Sequence, residues 1–298
     1  MRKLGEGDGA KPVSRNEISP RWSVAWKTYH HMALPAMPPH EQSRITEFDA
    51  KIALKQTGAL LARWISNWDK GDESSWWFCV KTAYQGSGEF TSKTRNQCRK
   101  GLSNLLVKIV GPEVIRDRGY RVYAGAFEHY RNTYVPLMTE EQFRKHVNFS
   151  EDWGGIEYWG IFRRDNNELV GYSRNIVDEG TCEMVTTKFD PAYLKLRPSE
   201  ALMHSMIEHY FGLEGFRYIN DGARSIGHQS NIQDFLIRKF NFRKAYCDLH
   251  IVYAPHCRIL VEALFPFRKF FLSSPIRSLR KLGVLLKQEE LRRNRSVG

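Results

Sequence analysis

The apolar positions along the chain change period several times, and the changes mark out its elements. Phe216 to Tyr253 shows three of them in succession. Phe216-Arg217-Tyr218-Ile219 alternates and predicts a strand, after which a polar loop runs from Asn220 to Ser230. Ile232, Phe235, Leu236 and Lys239 then recur at helical spacing, with Ser230 and Gln233 placed as a capping box and Asn241 as the closing residue. Ala245 to Tyr253 returns to alternation, setting Tyr246, Asp248, His250 and Val252 against Cys247, Leu249, Ile251 and Tyr253.

The same reading applies upstream. Met1 to His40 reads as irregular, broken by Pro12, Pro20, Pro35, Pro38 and Pro39, with Trp22, Trp26, Tyr29 and Met32 packing part of it on a surface. Glu47 to Trp68 reads as a helix through Ile52, Leu60, Leu61, Trp64 and Ile65, and Trp76 to Val80 as a short buried strand. A basic helix opening at Thr91 or Ser92 leads into a strand at Leu105 to Val110. Tyr123 to Tyr134 and Thr139 to His146 read as helices. Strands at 158–163, 169–177 and 181–189 follow in hairpin succession, the last ending before Pro191. Pro198 opens a further helix, packed through Ala201, Leu202, Ser205, Met206, His209 and Tyr210. The order predicts an α/β fold of the α+β type, a mostly antiparallel central sheet flanked by helices. Residues 1–75 are expected as an irregular and helical extension, 76–254 as the main domain and 255–298 as a basic amphipathic helical extension. No repeat or low-complexity tract interrupts it.

Composition adds limits. A chain of 298 residues has ample length for a core, and no run reaches the ~18 apolar residues of a spanning helix. Arg2 and Lys3 lead into Gly5-Glu-Gly-Asp-Gly and not into the apolar run of a secretory signal. The five cysteines, Cys79, Cys98, Cys182, Cys247 and Cys257, are odd in number and without CxxC spacing, which suits reduced, buried thiols. The expected compartment is the cytoplasm, with peripheral contact to a membrane left open. The net charge of +12 comes from two stretches: Thr91–Arg121 has eight Lys or Arg against two acids, and Arg258–Gly298 ten against three. Such faces suit an anionic partner, whether a phosphate-rich cofactor, tRNA or lipid head groups.

Candidate chemistry clusters in two places. The loop after Ile219 collects Asn220, Asp221, Arg224, Ser225, His228, Gln229 and Asn231 at the carboxyl end of a strand, where open sheets bind ligands. Arg95 and Arg99 lie one turn apart on the basic helix, beside Lys100, and suit forked bonds to a phosphate or carboxylate. Histidine spacing offers no HExxH or Cys/His metal pattern, so no metal is expected. At the far end Ile276, Leu279, Leu282 and Leu286 form a stripe flanked by Arg277, Arg280 and Lys281, read either as docked on the domain or as lying on anionic lipid or RNA.

The element order, together with Phe-Leu-Ile-Arg-Lys-Phe-Asn-Phe, which resembles the LYxxxGF ending, is similar to the GNAT acyltransferase superfamily. The helix and strand TSKTRNQCRKGLSNLLVKIV resemble the opening of Fem-type transferases, in which an R-x-x-I-R-K-A/G helix precedes the first strand. The resemblance covers roughly Trp76 to Tyr253 and implies N-acyl transfer from acyl-CoA or aminoacyl-tRNA to an amine acceptor. For that chemistry the residues themselves offer Asp221, His228 and Glu183 as proton acceptors, Arg197, Ser199 and Asn231 at the donor's phosphates, and Arg95, Arg99, Lys100, Asn220 and Arg224 as further substrate or phosphate contacts; Asn231 can equally cap its helix. Two departures stand out. Arg197-Pro-Ser-Glu-Ala carries no glycine where the family's phosphate loop has it, and Ile237 stands where the family commonly has an acid tyrosine. The alternative function is a degenerate module of the same fold that holds nucleic acid or an anionic membrane through its basic patches.

Overall fold

The structure is a computed structural model, and it describes residues 24–29, 31–128, 136–151, 155–226, 232–272, 274 and 276–294. The chain opens with a hairpin, β1 (Trp26–Tyr29) and β2 (Met32–Pro35), followed by α1 (Glu47–Thr57) and β3 (Leu61–Lys70). Then come β4 (Trp76–Lys81), α2 (Ser92–Asn104), β5 (Leu105–Val110), α3 (Pro112–Glu128) and α4 (Glu140–Glu151). The hairpin strands are β6 (Ile156–Arg163), β7 (Leu169–Asp178) and β8 (Thr181–Phe189). They lead to α5 (Pro198–Phe211), β9 (Tyr218–Ala223), α6 (Ile232–Phe240) and β10 (Arg243–Tyr253). The chain ends on α7 (Pro255–Leu264), α8 (Arg268–Leu272) and α9 (Arg277–Arg293).

These elements form two compact units, the first made of residues 1–77, 225–229 and 245–298, the second of 78–224 and 230–244. In the first unit β1 pairs antiparallel with β2, β2 parallel with β3, and β3 antiparallel with β10 from Lys70↔Tyr246 to Leu61↔Tyr253. In the second unit β5, β6, β7 and β8 pair antiparallel in succession. β8 then pairs parallel with β9, and β9 antiparallel with β4. The fold is mixed α/β with mostly antiparallel strands flanked by helices, as expected.

Several expectations need correcting. The stretch before His40, of which residues 1–23 lie outside the described residues, holds the β1–β2 hairpin, because Pro35 falls at the end of β2 and Pro38 and Pro39 open a short 3-10 turn that runs to Arg44. The single helix expected over Glu47–Trp68 is a helix and a strand. Gly58 at φ 65° closes α1 in the left-handed conformation, and Leu61 to Lys70 continues as β3, where Trp64 and Ile65 suit a pleated surface. The helix expected from Tyr123 begins instead at Pro112, so that Ile115, Val122 and Tyr123 reach the core with Phe143, Tyr158 and Phe162; its expected end, through Tyr134, lies outside the described residues. Thr139 and Gln142 do cap α4 reciprocally, at 2.9 and 3.2 Å. All five cysteines are buried free thiols. No helix among the described residues is long and apolar enough to cross a membrane.

In the stripe Ile276, Leu279, Leu282 and Leu286, the last two pack inward with Ala254, Cys257 and Val261. Helix α9 is held further by Glu289, buried, which accepts from Arg292, Arg293 and Tyr253. The docked reading of this helix therefore holds for Leu282 and Leu286, and their part of the stripe does not face a ligand.

Candidate active site

Strand pairing in the second unit builds the site. β8 and β9 run parallel for only three pairs, Thr181↔Tyr218, Cys182↔Ile219 and Glu183↔Asn220. Each strand is then deformed by an extra residue. On β8 the register to β7 slips between Asn175↔Met184 and Arg174↔Thr186, leaving Val185 as a bulge. On β9 the register to β4 slips between Val80↔Asn220 and Phe78↔Ala223, so that Asp221 and Gly222 together face Cys79. Gly222 has φ 91°, a conformation that side chains resist, and its N–H donates to Asn220 Oδ1 at 2.8 Å. Bulges on both strands, just beyond the last parallel pair, turn the strands away from each other at their carboxyl ends. The Asn-Asp-Gly sequence expected to open a loop is thus the bulged end of β9.

Asp221 occupies the deformed position. Burial pushes its carboxyl up to about 7, against a smaller opposing pull from Gln233, which donates to it. Gln233 Nε2 also donates to the Ala223 carbonyl at 3.1 Å, so α6 is clamped to the end of β9. The Cys79 thiol opposite is driven far upward by burial, and by Asp221 to a smaller degree, and stays protonated. Burial also lowers the Arg224 guanidinium, which follows the strand end. Asn220 is buried and serves the Gly222 turn. Glu183, half-buried, stands at the last parallel pair beside Asn220. His228 and Asn231 lie outside the described residues.

The other predicted cluster assembles at the start of α5. Arg197, φ 65°, is the N-cap residue and Pro198 the first residue of the helix. Gly101 of α2 lies against this turn: a Cβ there would meet the Arg197 carbonyl at 2.8 Å and Ala201 Cβ at 2.9 Å. The glycine of the Arg-Lys-Gly run therefore lets the basic helix approach α5. Arg95 is turned back on its own helix start, donating to the Phe90 carbonyl at 2.5 Å and Ser92 Oγ at 3.2 Å, and Arg99 donates to Asn96 Oδ1. Lys93, Arg99 and Lys100 are exposed.

Glu200, absent from the sequence reading, is central here. Its buried carboxylate accepts from Lys239 Nζ at 2.6 Å and Ser199 Oγ at 2.9 Å, with Arg197 at 3.8 Å. Burial works to raise its pKa, and the bonds from Lys239 and Ser199 outweigh it, leaving the group below the ordinary glutamate range. Lys239 also donates to Gln97 of α2 at 2.8 Å, so one ammonium ties α2, α5 and α6. Gln233 and Lys239, six residues apart on α6, connect the Asp221 and Glu200 clusters over about 9 Å of helix. Glu200 was legible only as an acid in a first helical turn, a position the helix dipole favours. A second buried network passed unread: Tyr210 donates to Glu157, while Trp159 Nε1 donates to Glu157 at 2.7 Å and Asn175 Nδ2 to Tyr210 at 3.2 Å. Among the described residues no group of three metal-binding side chains converges.

Residues 92–225 match the acetyltransferase (GNAT) domain family. Over this stretch the chain is similar to GNAT domains. Among solved structures, the C-terminal DUF2156 domain of a candidate lysylphosphatidylglycerol synthetase from Agrobacterium fabrum is 15% identical, with 78% of this chain and 72% of that chain covered at a TM-score of 0.48. The L-PGS of Bacillus licheniformis is 12% identical over 81% of this chain and 85% of its own, at 0.47. FemX is 8% identical over 72% and 70%, at 0.48. No curated protein matches the chain. The matched stretch runs from α2 to the end of β9, so both clusters of candidate residues fall in or at the edge of it.

Proposed function

We propose that the GNAT domain transfers an acyl group from a thioester or ester donor, an acyl-CoA or an aminoacyl-tRNA, to an amine acceptor at the carboxyl ends of β8 and β9. The observation that supports it most is the parting of these two parallel strands beyond Glu183↔Asn220, with a bulge on each. Backbone groups of diverging strands are offered to an extended, amide-bearing ligand, much as a sheet edge accepts an added strand.

In this reading the amine attacks the donor carbonyl and a C–N bond forms as the C–S bond, or the C–O bond of an aminoacyl ester, breaks. The amine proton passes to Asp221 and ends on the leaving sulfur or oxygen. A carboxyl that titrates near neutrality suits this exchange. Glu183 is the nearest alternative acceptor along the ladder. Arg224 and the exposed Lys93, Arg99 and Lys100 supply the charge that holds a phosphate-dense donor.

One observation favours a second reading. Glu200 already occupies the start of α5, where a donor's phosphate would meet the positive end of the helix, and it engages both Arg197 and Ser199. A module that holds a polyanion on α2 without chemistry fits that arrangement.

The test combines acetyl-CoA, longer acyl-CoAs and aminoacyl-tRNA with a panel of primary amines and follows amide formation by mass spectrometry. Transfer by the wild-type chain that slows about 10²–10⁴-fold in Asp221→Asn, with donor binding retained, is the expected result. An unchanged rate in Asp221→Asn removes Asp221 from the chemistry. Polyanion binding without any amide product supports the second reading.

A further inference from the structure

In the first unit, the helical run from Pro255 to Leu272 carries apolar residues on its outer side as well as its inner one. Helix α7, a 3-10 turn at Phe265–Phe267 and α8 follow without a break, since Leu264, Phe265 and Arg268 all keep right-handed helical backbone. Cys257, Val261, Leu264, Phe265 and Phe271 face inward and pack with Leu282, Leu285 and Leu286 of α9. Helix α9 comes very close there: a Cβ on Gly283 would lie 2.7 Å from the Leu272 nitrogen. The outer side should then be polar. Instead Ile259 is 70% exposed, Phe267 62% and Phe270 69%, with Ala263 and Pro266 exposed between them. Positions 259, 263, 266–267 and 270 recur at helical spacing and so share one face.

The surroundings say what covers this ridge. Leu260 and Ile276 add exposed apolar surface at its sides. On α1, Phe48 is 71% exposed, and Glu47 beside it is held below the ordinary range by Lys51 and, more weakly, by Arg258 of α7. The rim is cationic. Lys269 and Lys281 are exposed, and Arg280 reaches back to the Ser274 carbonyl at 3.3 Å, next to the end of α8. The acids nearby, Glu262 and Glu47, are each paired within their own helix, with Arg258 and Lys51 at 2.8 Å. Aromatic and aliphatic tips on a convex helical ridge, bordered by lysines, match an anionic lipid interface in both polarity and charge.

We propose that the outer face of Pro255–Leu272 docks on an anionic phospholipid bilayer, with Ile259, Phe267 and Phe270 entering the headgroup boundary and Lys269 and Lys281 meeting lipid phosphates. This concerns the first unit and stands apart from the acyl-transfer reading of the second. Flotation of the full chain with vesicles of phosphatidylcholine, alone or mixed with phosphatidylglycerol, tests it. The chain should float with the mixed vesicles, lose that binding in high salt and ignore phosphatidylcholine alone. Phe267→Ser with Phe270→Ser should lower partitioning at least about tenfold. Lys269→Gln and Lys281→Gln should each lower it about fivefold. Both pairs are exposed, so their melting temperatures should match the wild type. Failure to bind mixed vesicles, or binding indifferent to both pairs, overturns the proposal. So does a vesicle-free dimer that Phe267→Ser with Phe270→Ser dissolves, because a second copy would then cover the ridge.

Discussion

Asp221 shows how a single residue acquires its chemistry from its neighbours. The bulge at Asp221–Gly222 sets the half-buried Asp221 opposite Cys79, and loss of solvent around the carboxyl keeps its proton on to about pH 7. Unfolded, the same group titrates near ~3.9. Between those values the folded state binds more protons than the unfolded one, so this group makes stability fall as pH rises from about 4 to 7 and has no further effect above. Chemical denaturation across that range should show the slope in the wild type and lose it in Asp221→Asn; an identical pH profile in the two would mean that Asp221 titrates normally. Residue identity was legible here, since Asn-Asp-Gly and its polar followers drew attention at once. The bulge was not, because it arises from pairing with Phe78–Lys81, well over a hundred residues earlier.

At the scale of elements, α2, α5 and α6 are held by one charge pair, a buried glutamate met by a half-buried lysine. Lys239 and Glu200 meet at 2.6 Å, and the carboxylate side chain is 3% exposed. Removing one partner from such a pair costs about 3–5 kcal/mol, because the other charge stays buried. Lys239→Met should therefore lower stability by that amount in a denaturant titration, and Glu200→Gln added to it should restore part of the loss. A loss of less than about 1 kcal/mol in Lys239→Met would show that the pair is solvated and does not organise the helices. Local signals read this region well: Thr91 caps α2, accepting from the Thr94 N–H, and Pro198 opens α5 as expected. Thr46 and Asp49, which cap α1 reciprocally, were passed over. Periodicity failed where two rules overlap. Leu60, Leu61, Trp64 and Ile65 are spaced for a helix face, yet Gly58 ends α1 and β10 takes the following residues as a strand partner.

For the whole molecule, the second unit was largely legible, whereas in the first the amino-terminal strands were not. The strands and helices from α4 to β10 came close to their expected places because each is bounded by local turn or cap chemistry. The first unit joins chain ends: β3 pairs with β10 across more than 170 residues, and Arg63 donates to Gln288 of α9 at 2.9 Å. No local pattern announces such pairing, so β1, β2 and β3 were taken for irregular chain or helix, while the alternation of β10 was read. Charge was legible in sum and not in use. Arg121 is spent on Glu168 at 2.6 Å, and Arg292 and Arg293 on Glu289, so that a charge counted in the sequence is in these cases an internal contact.

The central claim is that an acyl donor lies where β8 and β9 part. Hydrogen exchange of the full chain, with and without acyl-CoA or aminoacyl-tRNA, tests it most directly. The account predicts that a bound donor slows exchange in residues 183–189 and 220–224, leaving α7 and α8 unchanged. Donor binding that protects other segments and leaves those two strand ends unaffected would contradict it.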